Sequence, residues 1–397
     1  MKYNTMRQKL FYFFFTLLIS IAGLQACSKS ENNFSEQEDD GEEEVDIKAI
    51  HGVCRQNLQW VSYSKVVDIA NNISASNIPV VRLGGVKESG SIEQVIHNIN
   101  TFAQKGVKVQ LIQPMWMEMF PEGYQKVPGP NFKLYRMSDI DLERFRIFMD
   151  ELLGQITLYT PKDALIALEL FNEANWGDFN GDLQPTAERK GEVFTLETSL
   201  DYPSFQAIYR GIGRYGKCLQ ITKELMDKHI ADRDVKLVTT GMVSGGERNN
   251  HSWSINNGFT VIAANMFITL LQGNHPDQSD KTNWLQYADG IGIHAYPPLV
   301  EDMAKELRTY YFNPINAVLD KPIPYWMTEW GFARPQFQNN GGEERRLHYM
   351  RNFIQAIEDI GGTAMTALYE FDATDNHNIW ENGALLESGK IFQGINN

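Results

Sequence analysis

The chain has 397 residues and a formal net charge of −14, and 43% of its residues are hydrophobic. This length and hydrophobic content allow a full-sized buried core, which excludes a disordered or fibrous protein. Much of the negative charge lies near the N-terminus, so the remainder is only moderately acidic, a balance that argues against nucleic acid as a partner.

The first 26 residues have the organisation of a secretory signal. A basic N-terminal stretch is followed by an apolar run over 10–24 and by a small residue, Ala26, directly before Cys27. The Leu-Gln-Ala-Cys run resembles a bacterial lipobox, which implies that cleavage leaves Cys27 as a diacylated N-terminus. The alternatives are an ordinary secretory signal and a single membrane anchor, although the apolar run is shorter than the roughly 20 residues of a spanning helix.

The next segment, 27–46, is polar and strongly acidic, with almost no apolar residues. Such a composition cannot bury a core, so we expect a solvated, disordered tether. An acidic stretch behind a lipidated cysteine also resembles the surface-export signals of Bacteroidetes lipoproteins, whereas a plain periplasmic spacer has the same composition. We expect an outer-membrane lipoprotein, on the periplasmic side or the cell surface, that is a monomer and contacts the membrane through its lipid anchor alone.

Beyond the tether, short apolar runs alternate with longer amphipathic stretches. Eight runs have the composition of buried strands, namely 47–53, 79–83, 107–113, 164–172, 235–241, 290–296, 325–329 and 363–371. This repeated order of strand and helix predicts an α/β fold, a (β/α)8 TIM barrel. No linker or internal repeat interrupts 47–397, so we interpret it as one barrel domain after the signal peptide, 1–26, and the tether.

Helical spacing of apolar residues occupies most of the connections between strands. The predicted helices are 65–76, 92–105, 140–159, 202–230, 299–320 and 343–360. Long inserts follow strands three, four and five. Because barrel enzymes build their sites on this face, we expect 178–200 and 244–274 to supply much of the rim.

Two of the predicted strands end in a carboxylate that is followed closely by a tryptophan. Strand four leads into Asn172 and Glu173, with Trp176 beyond, and strand seven leads into Glu329 and Trp330. Hydrolysis of a glycosidic bond by paired carboxylates needs two such groups at a fixed separation. The ends of two barrel strands can provide that separation.

These residues resemble the cellulase-like clan of retaining glycoside hydrolases, clan A, whose members are eightfold barrels. The resemblance covers most of 47–397, but its specific motifs are short. It implies that Glu173, in the Asn-Glu pair ending strand four, is the acid/base. It also implies that Glu329, at the end of strand seven, is the nucleophile.

Further residues at strand ends are candidates for supporting roles. Arg82 ends strand two, and its guanidinium would hold Glu329 ionised, although a structural ion pair is the alternative. Period-two geometry places His294 and Tyr296 on the same side of strand six. The resemblance implies that Tyr296 hydrogen-bonds the nucleophile and that His294 contacts the acid/base or the substrate. It also implies that Asn172 binds the sugar 2-hydroxyl group.

Aromatic residues gather at the same strand ends, and flat rings pack well against the apolar faces of sugars. The candidates for substrate binding are Trp116, Trp176, Trp330 and Tyr369, and the first two are the predicted platforms. Ordinary packing in the rim explains some of these positions. The chain departs from many clan members at Gln113, where strand three often ends in histidine. It also departs at Tyr369, because strand eight often ends in tryptophan.

The sequence predicts no metal site and no cofactor. Its cysteines lack the spacing of metal ligands, and hydrolysis by paired carboxylates requires no cofactor. Beyond Cys27, the remaining cysteines are Cys54 and Cys218, which lie far apart in sequence. We interpret them as two separate buried thiols, with one disulfide as the alternative.

The combined features predict a retaining glycoside hydrolase whose substrate is a β-linked polysaccharide or oligosaccharide of the β-mannan, β-glucan or xylan class. Long loops favour an open cleft and endo action, although they can equally close the cleft into a pocket. Two alternatives keep the same fold: a surface lipoprotein that binds glycans without catalysis, and a transglycosylase in which a sugar replaces water. The intact set of candidate residues argues against the first.

Overall fold

The computed structural model describes residues 48–184, 190–244, 257–373 and 376–395. The predicted signal peptide, the tether and Cys27 lie outside these ranges, as do 185–189 and 245–256 of the predicted rim. Within the described ranges, no helix combines the length and the apolar character that crossing a membrane requires.

The central feature of the fold is a closed sheet of eight parallel strands. In chain order these are β1 (Ile50–Cys54), β2 (Val80–Gly84), β3 (Lys108–Gln113), β4 (Leu165–Leu170), β5 (Lys236–Val238, continuing at Met242–Val243), β6 (Ile291–Ala295), β7 (Tyr325–Trp330) and β8 (Thr363–Leu368). The sheet closes because β1 pairs with β8 and because the two pieces of β5 contact β4 and β6. The predicted barrel is confirmed, and all eight predicted strands are present.

Helices lie between successive strands and pack on the outside of the sheet. They are α1 (Tyr63–Ala75), α2 (Ile92–Ala103), α3 (Leu142–Tyr159), α4 (Phe205–His229), α5 (Ala264–Leu271), α6 (Met303–Leu307), α7 (Gly342–Ile360) and α8 (Phe392–Ile395). Side-chain caps fix where several begin: Ser62 accepts from the backbone N–H of Lys65, and Asp141 accepts from two N–H groups of α3. At its other end, α7 stops at Gly361, where φ is 74°.

Short elements occupy the connections. Three strand pairs lie outside the barrel: Val127–Pro128 with Lys133–Leu134, Val193–Phe194 with Val261–Ile262, and Trp380–Glu381 with Ala384–Leu385. Single 3-10 turns span Leu58–Trp60, Met117–Met119, Met137–Asp139, Trp284–Tyr287, Arg334–Gln336 and Glu387–Ile391. The first of these strand pairs is a hairpin in the long connection after β3, and it forms one wall of a cavity.

The helix α5 lies within 244–274, the segment that we expect from the sequence to supply much of the rim. Part of that segment is a barrel helix, and nearly all of its residues are buried. Its apolar run is only eight residues long, and a run of that length cannot be distinguished from a buried strand by periodicity, so the spacing of apolar residues did not reveal it. The predicted helix 299–320 is also interrupted, because α6 passes through the π-helical turn Arg308–Phe312 into Asn313–Asn316.

Two apolar layers surround the strands. The larger one lies between the sheet and the helices, and the smaller one fills the barrel with Cys54, Val80, Ala167, Val238, Trp326, Met365 and Ala367. The barrel interior also contains polar side chains without exposed surface, namely Arg82, Gln110, Glu169 and Thr328. Since a buried charge is tolerated only when it is paired and hydrogen-bonded, these side chains must satisfy one another.

The two described cysteines occupy different layers of the barrel. Cys54 belongs to the apolar cluster inside the sheet, whereas Cys218 lies on the buried face of α4. Both are buried, and both are free thiols. The interpretation as two separate thiols is therefore confirmed.

A β-bulge in β7 decides which of its side chains reach the barrel interior. Consecutive residues of β6 lie opposite Met327 and then Glu329, so β7 contains one extra residue, Thr328. An extra residue shifts the alternation of inward and outward side chains. Thr328 and Glu329 therefore both make contacts inside the barrel, and Trp330 lies outside, among the helices.

Candidate active site

Two glutamates meet at the carboxyl end of the barrel. Glu329 belongs to β7, and Glu173 follows the end of β4 by three residues. One carboxylate oxygen of each lies within 4.8 Å of the other and of a ring nitrogen of His294. The two side chains are 9% and 12% exposed, so both carboxylates are largely withdrawn from water.

Arg82 of β2 connects this pair to the barrel interior. Its Nη1 donates to Oε1 of Glu329 at 2.7 Å, while Nε and Nη2 donate to the two oxygens of Glu169 at 2.6 and 2.9 Å. The planar guanidinium suits such two-pronged contacts with carboxylates. Because Glu169, deeper in the barrel, fixes the guanidinium of Arg82, this guanidinium holds Glu329 in one position.

Glu169 was not identified from the sequence. It is completely buried, and besides Arg82 it accepts hydrogen bonds from Gln110, Thr328 and the backbone N–H of Gly241. One signal was present, since Glu169 is a carboxylate inside an otherwise apolar strand. Such a residue is rarely buried unless it is paired, and its natural partner is another charge inside the barrel.

Four groups surround the carboxylate of Glu329. Besides Arg82, the hydroxyl of Tyr296 donates to Oε2 at 2.7 Å, and the amide of Gln56 donates to Oε1 at 2.5 Å. Burial alone would raise the pKa of Glu329, but the charges of His294 and Arg82, with these hydrogen bonds, lower the pKa to about 2. Glu329 is therefore ionised over the whole physiological range.

Gln56 is a second residue that sequence reasoning missed. It lies in the loop directly after β1, within no recognisable motif. Its backbone passes close to β2, because a Cβ at Gly84 would lie 2.3 Å from the carbonyl oxygen of Gln56. The glycine thus allows the loop to approach and to deliver the Gln56 amide to Glu329.

The environment of Glu173 acts in the opposite direction. Burial raises the pKa of Glu173 above its usual value, despite a hydrogen bond with Nδ1 of His294 at 2.7 Å, and the charge of Glu329 adds to the rise. Glu173 therefore keeps its proton to higher pH than an exposed glutamate. Two carboxylates within 4.8 Å of each other thus favour different protonation states.

His294 sits between the two carboxylates. Its Nδ1 is 2.7 Å from Glu173 and 3.6 Å from Glu329. Burial lowers the pKa of this histidine, but the two carboxylates outweigh burial, so its pKa is raised. The ring fits because Gly241 lies opposite it, between the two pieces of β5, where a Cβ would lie 2.1 Å from Nε2.

The backbone that carries Glu173 is strained. Phe171 and Glu173 have φ values of 66° and 42°, a left-handed region that costs side-chain-bearing residues of the order of 1–3 kcal/mol each. The following turn is held by hydrogen bonds from Ala174 to the Thr240 hydroxyl and from the Asn175 side chain to two backbone carbonyls. These contacts keep Glu173 in its unusual backbone conformation.

Asn172 lies between the two strained residues and contacts Arg82. Its Oδ1 accepts a hydrogen bond from Nη2 of Arg82 at 3.1 Å. The amide nitrogen is thereby turned away from the guanidinium. Asn172 also lines the cavity beside the glutamate pair, so this nitrogen is placed at the edge of the site.

Three of the four predicted aromatic residues lie around the site. Trp116 lines the same cavity as Asn172, and the half-buried Trp176 stacks on Phe259 at a centroid distance of 5.3 Å. Tyr369 packs edge-on against the ring of Tyr296, 6.3 Å away. Trp116 and Trp176 come from the connections after β3 and β4, and Tyr369 directly follows β8, so the rings frame more than one side of the mouth.

The prediction that Trp330 is a substrate-binding residue is wrong. The bulge at Thr328 turns Trp330 outward, where its ring stacks on Phe353 of α7 at 4.2 Å and only 1% of the residue is exposed. Strict alternation along β7 would have turned Trp330 inward. It is a core residue that fixes α7 to the sheet.

The glutamate pair with His294 is also the place where described side chains could approach a metal ion together, since one ligand atom of each lies within 4.8 Å of the others. The electrostatics oppose a cation there. Arg82 already supplies a positive charge to Glu329, and the raised pKa of Glu173 favours its neutral form. The donor set fits proton transfer better than metal binding.

No protein-family model and no curated protein matches the chain. Solved structures do match. A family 39 glycoside hydrolase from the gut symbiont Bacteroides cellulosilyticus WH2 is 15% identical, with a TM-score of 0.51 over 88% of this chain and 63% of that one. The chain thus spans less than two thirds of the length of that protein.

Two further structures share the fold. A fungal β-1,4-galactanase is 12% identical, with a TM-score of 0.54 over 87% of this chain and 99% of that one. A GH5_18 protein from Bifidobacterium longum subsp. longum, solved in complex with Manβ1-4GlcNAc, is 11% identical, with a TM-score of 0.55 over 88% and 78%. At such identities the likeness establishes the barrel fold that this chain shares with glycoside hydrolases.

We predict that Glu169→Gln destabilises the fold by about 3–5 kcal/mol, because it removes one of the two countercharges of a completely buried arginine. The free energy of unfolding from urea titration measures this loss. Glu224→Gln is the matched control, since it breaks an exposed pair with Arg146 that contributes about 1 kcal/mol or less. A loss no larger than that of the control would contradict the argument.

Proposed function

We propose that the protein is a retaining glycoside hydrolase that cleaves β-linked polysaccharides or oligosaccharides. The observation that carries the proposal is the approach of carboxylate oxygens of Glu173 and Glu329 to within 4.8 Å. Retaining enzymes hold their two carboxyl groups about 5–5.5 Å apart, whereas inverting enzymes leave about 6.5–9.5 Å to admit a water molecule. The short separation therefore favours a covalent intermediate.

The two glutamates have distinct roles in the proposed double displacement. Glu329 attacks the anomeric carbon, the glycosidic C–O bond breaks, and Glu173 gives its proton to the leaving oxygen. Glu173, now ionised, then takes a proton from water, whose oxygen attacks the anomeric carbon and releases Glu329. Two inversions at that carbon leave its configuration unchanged.

The electrostatics support this division of roles. A nucleophile must be ionised, and Arg82, Tyr296 and Gln56 all donate to Glu329. An acid must hold its proton near the working pH, which burial of Glu173 favours. When Glu173 loses that proton, the adjacent His294 is placed to stabilise the new charge.

Asn172 is the proposed contact for the sugar at the scissile bond. Because its Oδ1 accepts from Arg82, the amide nitrogen remains to donate to a sugar hydroxyl, and the 2-hydroxyl is the group that the clan resemblance implies. A hydrogen bond to this hydroxyl strengthens in the transition state of glycoside hydrolysis. Arg82 would thus orient both the nucleophile and the contact to the sugar.

The proposed substrate is a β-mannan, a β-glucan or a xylan, or an oligosaccharide derived from one of them. The β-1,4-galactanase and the complex with Manβ1-4GlcNAc among the structural neighbours support β-linked substrates and add galactan to the glycans worth testing. Cleavage within the chain is the proposed mode, and the sizes of the released products distinguish it from cleavage at chain ends. No cofactor takes part in the proposed reaction.

We also propose that Cys27 carries a lipid and anchors the enzyme to the outer membrane. The apolar run over 10–24, the small residue before Cys27 and the acidic stretch behind it support this proposal. A tether of about 20 residues would let the barrel reach a polymeric substrate at a distance from the membrane. The glycan and the membrane are the proposed partners.

We predict that Glu329→Gln lowers turnover more than about a thousandfold and leaves glycan binding nearly intact, because the shape of the site is kept while the nucleophile is lost. Reducing-end release from β-mannan, β-1,3-glucan, β-1,4-glucan, mixed-linkage glucan, xylan and galactan measures turnover. Glu224→Gln serves as the surface control and should match the native enzyme. Appreciable activity in Glu329→Gln would show that another carboxylate is the nucleophile.

The pH profile of kcat/KM should be an asymmetric bell. Activity needs Glu173 protonated and Glu329 ionised, so it falls on the alkaline side as Glu173 titrates and on the acid side only near pH 2. Glu173→Ala, assayed on an aryl glycoside of the sugar identified by the panel, should lose the alkaline limb. Added azide should restore its turnover and give a β-glycosyl azide. An alkaline limb that persists in Glu173→Ala would identify another acid.

We predict that Cys27→Ala moves the protein from the membrane fraction to the soluble fraction of its cells, because the lipid is the proposed attachment. Fractionation followed by immunoblotting measures this change. The acidic stretch 27–46 is otherwise untouched, so secretion and folding should be unaffected. Continued attachment of the variant to membranes would mean that the N-terminal segment is itself an anchor.

A further inference from the structure

A cavity lies beside the glutamate pair, between the connections that follow β3 and β4. Its volume is about 160 Å³, below the range of about 300–1,000 Å³ that is typical of complete small-molecule sites, so its size suits one part of a longer ligand. Asn172, which contacts Arg82 behind the nucleophile, forms part of its wall. The cavity therefore continues directly from the atoms that would surround a scissile bond.

Aromatic rings make up much of the cavity wall. Trp116 and Tyr135 line it, together with Phe132 and Phe179, which are 47% and 38% exposed. Exposed rings around a cavity are unfavourable in water unless a ligand covers them. Flat rings can pack against the apolar faces of a sugar, and polar side chains in the same cavity can bind the hydroxyl groups at the edges of those faces.

The hairpin after β3 is fastened over this cavity. Its strands, Val127–Pro128 and Lys133–Leu134, are joined by a tip that contains Asn131. The side chain of Asn131 donates to Oδ2 of Asp178, in the connection after β4, at 2.6 Å. This contact joins the two long connections and fixes the shape of the cavity between them.

Asp178 itself lines the cavity, and one of its oxygens has no evident role in the fold. The residue is only 6% exposed, and no hydrogen bond to Oδ1 is present among the described residues. Burial raises the pKa of Asp178 to about 6, so the carboxylate is ionised at neutral pH. Buried carboxylate oxygens nearly always accept a hydrogen bond. The hydrogen bond from the Asn131 side chain goes to Oδ2, so Oδ1 is left to accept one from a ligand.

We propose that this cavity is a sugar subsite adjoining the scissile bond and that Oδ1 of Asp178 accepts a hydrogen bond from a hydroxyl group of the bound sugar. The inference rests on the proposed function and adds to it a residue that determines how the neighbouring sugar is held. An ionised carboxylate can only accept, so it selects a donor and disfavours an acidic substituent at the same place. The ligand class is therefore a neutral sugar unit of a β-linked glycan.

Binding without turnover tests the proposal. In the Glu329→Gln background, Asp178→Asn is compared with Asn131→Ala, which removes the hairpin contact, and with Glu224→Gln, which neutralises an exposed carboxylate outside the cavity. Affinity gels containing galactomannan, mixed-linkage β-glucan, arabinoxylan or β-1,4-galactan give the dissociation constants. Asp178→Asn should weaken binding of the recognised glycan about 10- to 100-fold, the usual effect of losing a hydrogen bond to a charged group. Glu224→Gln should change it less than about threefold, and Asn131→Ala should weaken it less than Asp178→Asn does, because it loosens the hairpin but leaves Oδ1 of Asp178 in place.

Several outcomes would overturn the subsite. These are equal binding by Asp178→Asn and the Glu224→Gln control, an equal loss in Asp178→Asn and Asn131→Ala, and absence of binding to every glycan. Turnover by the native enzyme is measured in parallel. Binding that depends on Asp178 without any turnover would keep the subsite and reject the hydrolase. Thermal melting verifies folding, and Asp178→Ser replaces the Asn variant if the latter does not fold.

Discussion

The candidate site depends on how the barrel neutralises one buried guanidinium. Arg82 has no exposed surface, and a charge in such a place costs several kcal/mol unless countercharges and hydrogen bonds surround it. Arg82 donates hydrogen bonds to Glu169, deeper in the barrel, and to Glu329 at the barrel mouth. A further hydrogen bond goes from Arg82 to the side-chain oxygen of Asn172. The contacts that make the charge tolerable are therefore the contacts that fix the position of the Glu329 carboxylate. The stability of the barrel interior and the position of this carboxylate have the same physical cause.

The second consequence of this arrangement is that neighbouring carboxylates behave differently. Glu329 accepts hydrogen bonds from Arg82, Tyr296 and Gln56. Glu173 has a hydrogen bond with His294 and is otherwise largely withdrawn from water. Their pKa values move apart for that reason, downward for Glu329 and upward for Glu173. The site thus contains one group that holds a negative charge and one that holds a proton, which is the pairing that acid-assisted nucleophilic displacement requires.

The barrel could be predicted because its eight strands are short apolar runs separated by amphipathic helices, and the glutamate pair could be predicted because each ends such a run. The residues that escaped prediction did so for physical reasons. Glu169 is buried inside a strand with no motif around it, and Gln56 reaches the site from a loop. The helix α5 is a run of only eight residues, too short for its period to be distinguished from that of a buried strand. Trp330 was misplaced because one extra residue in β7 turns its side chain outward, and pairing register is not visible in a single sequence.

The strained turn around Glu173 lowers the free energy of unfolding, but it also holds the Glu173 carboxyl group in the candidate site. Phe171 and Glu173 adopt a left-handed backbone that glycine would occupy at much lower cost. Glycine at position 171 would ease the turn and remove the ring that packs against Tyr215, and at position 173 it would remove the acid itself. A search for heat-resistant variants guided by folding free energy alone would therefore converge on this turn and loosen it. The strain therefore belongs to the backbone conformation that holds the Glu173 carboxyl group beside Glu329.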